Sequence, residues 1–329
     1  MRATTAMLLA SLACGDKGTE PDTGSTDTDT DTDTDVDTDT DTDLDPDTVP
    51  LAGECDQTER FGAFTVDSNE DYASVAGSVA DGVVPTDVLT ELLTEGDCTI
   101  WRRENPFCDP GCDPGFTCDL SGECVPYPTN QSVGTVRIAG LLGEVTMDPV
   151  QPSDTYFDTS LPNPPWTPDE VATLRTGGGT QDAFTLHGVT PETMSLADAN
   201  WYLVPGEDLT VTWVPAPSGA RTQVELGLRI DLHGLTPSTL RCVFPDTGTG
   251  TVPSSVLDAL IDVGLTGYPN GMLTRKSTDS TPLSGGGCVE FRLQSSKLAA
   301  VEIEGYTPCR RDEDCPEGQE CNEALERCE

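Results

Sequence analysis

The sequence has few cationic side chains, few aromatic ones and almost no histidine. Only 17 Lys and Arg stand against 58 Asp and Glu, which gives a formal net charge of −41 over 329 residues. Such a chain cannot present a basic patch to phosphates, so we exclude nucleic acid as a partner. No stretch approaches the ~18 apolar residues of a transmembrane helix. Hydrophobic residues make up 35%, below the ~45–50% of globular chains, so part of the chain is expected to be non-globular.

Cysteine, by contrast, is abundant, with 13 residues. Cys14 stands alone near the start, and the other twelve lie beyond residue 50, mostly in short polar segments. An even set of this kind indicates disulfides formed in an oxidising compartment. Four cysteines in one small segment allow three pairings, and we favour an interleaved pattern in each. The predicted bonds are Cys55–Cys98, Cys108–Cys118, Cys112–Cys124, Cys242–Cys288, Cys309–Cys321 and Cys315–Cys328.

The first residues have the features of an export signal. A short apolar run, ATTAMLLASLA, follows Met1-Arg2 and is too short to span a bilayer. The next residues, Ser11-Leu12-Ala13-Cys14-Gly15, resemble the lipobox of bacterial lipoproteins, although Ser11 stands where that family prefers Leu. The resemblance implies that residues 1–13 are a cleaved signal peptide and that a lipid on Cys14 anchors the chain in a bilayer of the cell envelope. Gly15 provides no obvious retention signal, which favours the outer membrane.

Residues 14–50 contain an Asp/Thr repeat, with Asp at every second position from Asp29 to Asp47 and no interrupting Lys or Arg. Repulsion between these charges opposes collapse, so we predict a disordered, extended linker. Repeated Asp also begins many calcium-binding loops, but the glycine and distal Glu of such loops are absent in this register. We therefore expect only weak association of divalent cations with the linker.

The folded part is predicted to be mainly β. Residues 51–97 contain two expected strands, Phe61–Val66 and Tyr72–Val84, and a helical turn over Pro85–Leu93. Residues 98–128 are rich in Gly, Pro and Cys, so they form a cysteine bead that folds only when cross-linked. Zinc is the alternative for these cysteines, but the bead has no CxxC pair and no histidine.

Residues 129–305 contain short alternating runs that are separated by Gly, Pro, Asp and Ser. This rhythm predicts an antiparallel β-sandwich. One helix is expected over Pro253–Val263, and Trp213 is expected in the core, because it shares a strand face with Leu209 and Val211. We also expect Trp101, Trp166 and Trp201 to pack in the fold, although an exposed Trp could bind sugar or peptide.

Residues 306–329 form a second cysteine bead. Asp314, Cys315, Pro316, Gly318 and Cys321 make a DCPxGxxC core, which resembles the short Cys-rich repeat compared to the N-terminal cysteine-rich region of Dickkopf. The whole layout of lipobox, acidic linker, sandwich and terminal bead resembles predicted surface lipoproteins of myxobacteria and their relatives. That resemblance implies a location in the envelope and no particular activity.

Two motifs raise the question of catalysis. Asp246-Thr247-Gly248 resembles an aspartic-protease motif, but that chemistry needs two such aspartates, and the other DTG lies in the linker. His187 and His233 occur in near-copies of one phrase, LHGVTP and LHGLTP, with Asp231 nearby. These three side chains could hold the metal of a hydrolase if the strand ends meet. The simpler interpretation is a repeated strand-end turn in which each imidazole bonds to nearby backbone.

We therefore predict a non-enzymatic envelope lipoprotein without a cofactor. Its outer part would have a structural, adhesive or ligand-binding role, with an unknown protein or glycan as partner. The alternative is the metal-dependent hydrolase that uses His187, Asp231 and His233.

Overall fold

Short runs of alternating apolar and polar residues form strands throughout the computed structural model, which describes residues 44–217, 220–230 and 237–329. The α-helix, α1, spans Ser254–Val263, and 3-10 turns occur at Pro85–Asp87 and Asp312–Asp314. No helix in these ranges is both long and apolar enough to cross a bilayer.

The strands are β1 (Arg60–Ser68), β2 (Ala73–Val79), β3 (Leu89–Glu95), β4 (Cys98–Arg103), β5 (Phe116–Cys118), β6 (Cys124–Pro126), β7 (Val136–Ala139), β8 (Val145–Met147), β9 (Tyr156–Asp158), β10 (Val171–Thr176), β11 (Thr185–Val189), β12 (Asn200–Leu203), β13 (Leu209–Thr212), β14 (Gln223–Arg229), β15 (Ser238–Pro245), β16 (Thr249–Val252), β17 (Asn270–Pro282), β18 (Cys288–Ile303), β19 (Cys321–Asn322) and β20 (Arg327–Cys328).

A 10-stranded sheet in the order β3-β4-β15-β14-β17-β18-β1-β2-β9 forms the centre of the fold, with β12 also paired to β18. Most neighbours are antiparallel, as predicted, but β1 and β12 run parallel to β18. Parallel neighbours need long crossover connections, and the chain between β1 and β18 supplies one by forming most of the fold. The smaller sheets are β11-β10-β7-β8, β13-β16, β5-β6 and β19-β20.

Two hydrophobic clusters cover one face of the large sheet. In the first, β10 and β7 contribute Leu174 and Ile138, which are buried together with Phe64 and Phe291 of the large sheet. This packing of one sheet on another confirms the predicted mainly β, sandwich-like fold. Each such side chain stabilises the fold by about 1.5–3 kcal/mol relative to its exposed state.

The second cluster lies further along the same strand, β18. Val301 and Ile303 belong to it, whereas Phe291 and Leu293 belong to the first cluster. All four have odd numbers and therefore point to the same face of the sheet. Helix α1 and the β13-β16 pair cover this second cluster, which contains Trp213 as predicted.

The predicted small β unit over residues 51–97 is not separate from the main sheet. Its strands β1 and β2 lie next to β18 and β9, and β3 and β4 lie next to β15. This arrangement makes two predicted disulfides wrong, Cys55–Cys98 and Cys242–Cys288.

The structure has Cys98–Cys242 and Cys55–Cys288 instead. The register of β4 on β15 puts Cys98 directly opposite Cys242, and Cys288 is the first residue of β18. Pairing each cysteine with its neighbour in sequence failed because strand order in this sheet does not follow sequence order.

The predicted helical turn over Pro85–Leu93 is also wrong beyond its first residues. Only Pro85–Asp87 is a 3-10 turn, and β3 begins at Leu89. The β3–β4 register shifts between Glu91 and Leu93, so a bulge interrupts the alternation expected of a strand. The extra residue produces an apolar spacing that imitates a helix.

Both predicted cysteine beads are present. Their four bonds are those expected from the interleaved pattern: Cys108–Cys118, Cys112–Cys124, Cys309–Cys321 and Cys315–Cys328. The C-terminal bead contacts the main sheet region through its backbone, because the N–H of Gly267 donates to the Leu325 carbonyl at 3.1 Å. The Tyr306 hydroxyl donates to the carbonyl of Gly267 at 2.6 Å, and burial raises the pKa of this tyrosine to about 12.

Candidate functional site

The segment Leu44–Asp56, which we call the N-terminal strap, is the first described part of the chain. It begins with a hydrogen-bonded turn that buries the Val49 side chain to 2% exposure. Arg221, which precedes β14, donates to backbone carbonyls of this turn. Residues 44–50 are therefore part of the fold, and the predicted linker 14–50 extends too far because its end contains an apolar side chain that the fold buries.

Beyond this turn, the strap reaches the outer face of the large sheet through Glu54. Its carboxylate forms ion pairs with Arg241, at 2.7 Å, and with Lys276. Glu225, which is on β14, forms ion pairs with the same two cations. Burial alone would raise the pKa of Glu54, but the charges of Lys276 and Arg241 outweigh it and lower the pKa to about 2. Burial alone would lower the pKa of Arg241, but Glu225 and Glu54 raise it above its ordinary value.

The next residue, Cys55, fixes the strap covalently. Its disulfide to Cys288 joins positions 233 residues apart. Its backbone N–H also donates to Glu290 Oε1 at 2.7 Å, and Glu290 is completely buried. The strap is thus held by buried apolar surface, an ion-pair group and a disulfide within thirteen consecutive residues, Leu44 to Asp56.

Asp279 on β17 connects the strap to the predicted metal ligand His187. One carboxylate oxygen accepts the N–H of Ala52 at 2.8 Å, and the other accepts the N–H of His187 at 2.9 Å. The imidazole Nδ1 lies 3.1 Å from the Thr173 hydroxyl oxygen on the adjacent strand. His187 therefore lies inside β11 with its imidazole next to a side-chain hydroxyl, and the expected strand-end turn with an imidazole bonded to backbone is wrong at this position.

The other two members of the predicted metal site, Asp231 and His233, lie outside the described residues. Within those residues, groups of three or more metal-binding side chains occur only in the two cysteine beads. Every cysteine in these groups is in a disulfide, so none provides the thiolate that zinc binds. The acidic repeat, where we expect weak cation association, also lies outside the described residues except for Asp45 and Asp47.

Asp246, from the protease-like motif, has a structural environment. Its carboxylate pairs with Arg275 and accepts the indole N–H of Trp213 at 2.8 Å and the hydroxyl of Thr222 at 3.1 Å. Burial alone would raise the pKa of Asp246, but the hydrogen bonds from Arg275 and Trp213 outweigh it, so this pKa lies below its ordinary value. These contacts occupy the carboxylate that a protease would use.

Arg275, which is 1% exposed, was not among the residues predicted from the sequence. The signal was its position on β17, where it shares a strand face with the fully buried Leu273 and therefore points into the fold. The three tryptophans pack in the fold as expected, since Trp166 and Trp201 are 2% and 3% exposed and Trp101 on β4 is partly buried. The indole N–H of Trp166 donates to the Pro191 carbonyl at 2.8 Å.

Comparisons with known proteins provide little information about this chain. No protein-family model and no curated protein matches the chain. Among solved structures, it is similar to the FN1–FN3 domains of chicken CNTN1 at 9% sequence identity and a TM-score of 0.17. The match covers 65% of this chain and 66% of that one, slightly under two thirds. With so low a TM-score, the likeness says nothing about what this chain binds.

Proposed function

We propose that this chain is an exported lipoprotein of a bacterial cell envelope, anchored through Cys14, whose folded part has a non-catalytic structural, adhesive or ligand-binding role. The observation that carries the proposal is the cysteine pairing. All twelve cysteines beyond residue 50 form six disulfides with one another, so Cys14 is the one cysteine of the sequence that is not in this set. That cysteine is also the one in the lipobox-like motif, and disulfides on this scale fit an extracytoplasmic location.

The acidic repeat fits the same function. Residues 15–43 could reach about 100 Å when extended, and repulsion between the aspartates favours extension. A chain anchored at Cys14 would then hold its folded part well away from the bilayer. The strap beginning at Leu44 provides a firm attachment at the other end of that linker, through Glu54 and the Cys55–Cys288 bond.

The non-catalytic role is supported by the contacts of the candidate catalytic groups. Asp246 is held by Arg275, Trp213 and Thr222, and His187 bonds to Thr173. The partner would be a protein or a glycan, and the outer membrane is the favoured site of the anchor.

Mass spectrometry of the protein purified from a bacterial host with lipoprotein processing tests the anchor. We expect an N-terminal Cys14 carrying a lipid, with residues 1–13 removed. A Cys14→Ser variant should move from the membrane fraction to the soluble fraction while its folded part keeps all six disulfides. A retained Met1, or a mature protein with an unmodified Cys14, would contradict the proposal.

A further inference from the structure

A cavity of about 160 Å³ lies on the outer face of the large sheet, where β1 and β18 run side by side. Gln57, the residue after the strap, and the segment 83–87 border it, and the side chains of Arg60 and Arg292 line it. At about 30 Å³ per water molecule, it has room for roughly five groups of that size. A carboxylate or phosphate group with a few attached atoms fits this volume.

The two arginines have more hydrogen-bond donors than the neighbouring residues satisfy. Each guanidinium presents several N–H donors and no acceptor. Arg292 pairs with Glu290 through Nη2, but its buried Nε has no hydrogen-bond partner among the described residues. Arg60 Nη1 lies 4.0 Å from Glu290, too far for a hydrogen bond, and the same Glu290 oxygen already accepts the N–H of Cys55.

The other polar groups of the cavity are occupied. Asp87 is paired with Arg103 at 2.8 Å, which offsets its charge. The side-chain amide of Gln57 donates to the Leu89 carbonyl and accepts the Leu89 N–H, both at 2.9 Å. The two cavity arginines, with Glu290 as the one buried counter-charge, therefore leave an excess of positive charge in a chain whose net charge is −41.

We propose that this cavity binds an oxyanion, a carboxylate or phosphate group, between Arg60 and Arg292. Such a group would accept from the accessible guanidinium nitrogens of Arg60 and Arg292, whose side chains are 30% and 27% exposed, in the paired geometry that arginine favours. Arg292 Nε itself is buried and would report the nearby anion without contacting it. The site would bind the anion whether or not the chain is anchored to a membrane.

The test uses the folded, ¹⁵N-labelled protein with its disulfides intact. The Nε–H signal of Arg292, identified by its loss in Arg292→Lys, is followed in separate titrations with sodium acetate, inorganic phosphate and sodium chloride at constant ionic strength. We expect a saturable shift with acetate or phosphate and none with chloride. Stronger binding of acetate would identify a carboxylate as the natural group, and stronger binding of phosphate would identify a phosphoryl group.

Arg60→Gln is the decisive variant, because it removes one guanidinium and leaves Arg292 paired with Glu290. Its apparent Kd should rise about tenfold, as expected for loss of a charged hydrogen bond. Arg137→Gln, which removes an exposed arginine on β7, is the matched control and should leave the Kd unchanged. If Arg60→Gln does not fold, Arg60→Lys keeps the charge and loses the paired geometry. A shift that is linear in all three salts, or an unchanged Kd in the folded Arg60 variant, would overturn the proposal.

Discussion

Arg275 and Asp246 form a buried ion pair at the boundary between the two hydrophobic clusters. On β17, Arg275 lies opposite Ser295 of β18, between the part of β18 that belongs to the first cluster and the part that belongs to the second. Its Nη2 donates to Asp246 at 3.0 Å and to the Val214 carbonyl at 2.6 Å. The pair thus joins β17 to the chain around β13 and the end of β15.

Removing Asp246 should destabilise the fold strongly. In Asp246→Ala, Arg275 loses its counter-charge while it remains buried, which costs about 3–5 kcal/mol. Urea unfolding of both proteins measures this difference. The control is Glu70→Ala, because Glu70 is 68% exposed in its pair with Lys297 and should contribute less than about 1 kcal/mol. Equal losses of unfolding free energy in the two variants would mean that the buried ion pair stabilises the fold no more than the exposed one.

The close contact of Gly271 with Trp201 gives a second prediction. A Cβ at Gly271 would lie 2.2 Å from Trp201 Cζ3, and this indole is 3% exposed. Gly271→Ala should therefore lower the free energy of unfolding by about 1–3 kcal/mol. Gly227, in the adjacent strand β14, has open space at its Cβ position, so Gly227→Ala should be neutral or slightly stabilising. Thermal unfolding of both variants compares them, and a harmless Gly271→Ala would contradict the packing described here.

The low pKa of Glu54 makes the strap sensitive to acid. A carboxylate whose pKa falls from 4.5 to about 2 on folding stabilises the fold fully above 4.5, and this contribution is lost as the pH falls from 4.5 to about 2. The stability difference between the wild type and Glu54→Gln should therefore shrink over that range. Urea unfolding at a series of pH values measures it. Glu313→Gln, which changes an 80% exposed carboxylate, is the control variant.

The disulfide Cys55–Cys288 should contribute more to global stability than either bond of a bead. Replacing both cysteines by serine frees a segment that is otherwise closed over 233 residues, and we expect a loss of about 2–5 kcal/mol. Cys309→Ser with Cys321→Ser opens a separation of 12 residues at the C-terminus and should unfold mainly its own bead. Urea unfolding followed by tryptophan fluorescence distinguishes the two cases, because the four tryptophans lie outside the C-terminal bead. The reverse order of stability would contradict the assigned strand contacts.

How far the sequence predicts this structure depends on whether the deciding contact is local. Helix α1 and the interleaved bonds of the beads follow from nearby residues, and they were predicted correctly. The pairing of Cys98 with Cys242 follows from the position of β4 beside β15, which no local pattern encodes. The bulge in β3 changed a local pattern directly, so a strand looked like a helical turn.

The contacts of the site residues also join parts of the chain that are distant in sequence, so local patterns do not predict them. Glu54 and Lys276, which form one of these ion pairs, are 222 residues apart in sequence. Only the fold therefore shows that these two residues and Arg241 form a group. His187 was identified from a repeated phrase, but its bond to Thr173 depends on the register of β10 and β11. The location of the protein is predicted from its composition and its N-terminal motif. The contacts within the folded part depend on the strand order, which only the structure shows.

The strap provides the last prediction, which concerns where the linker ends. Deleting residues 15–43 should leave the stability of the folded part unchanged, whereas deleting residues 15–50 should lower it. The longer deletion removes the buried Val49, worth about 1.5–3 kcal/mol, and the carbonyls that Arg221 binds, worth about 1 kcal/mol per hydrogen bond.

Urea unfolding of the two deletion variants measures the difference, which we expect to be about 3.5–5 kcal/mol. Val49→Ala in the full chain is the matched variant, and it should reproduce part of the loss, about 1–3 kcal/mol. If both deletions leave the fold equally stable, residues 44–50 belong to the linker after all. If the shorter deletion is also destabilising, residues before Leu44 contribute to the fold, and the attachment of the linker must be placed earlier in the chain.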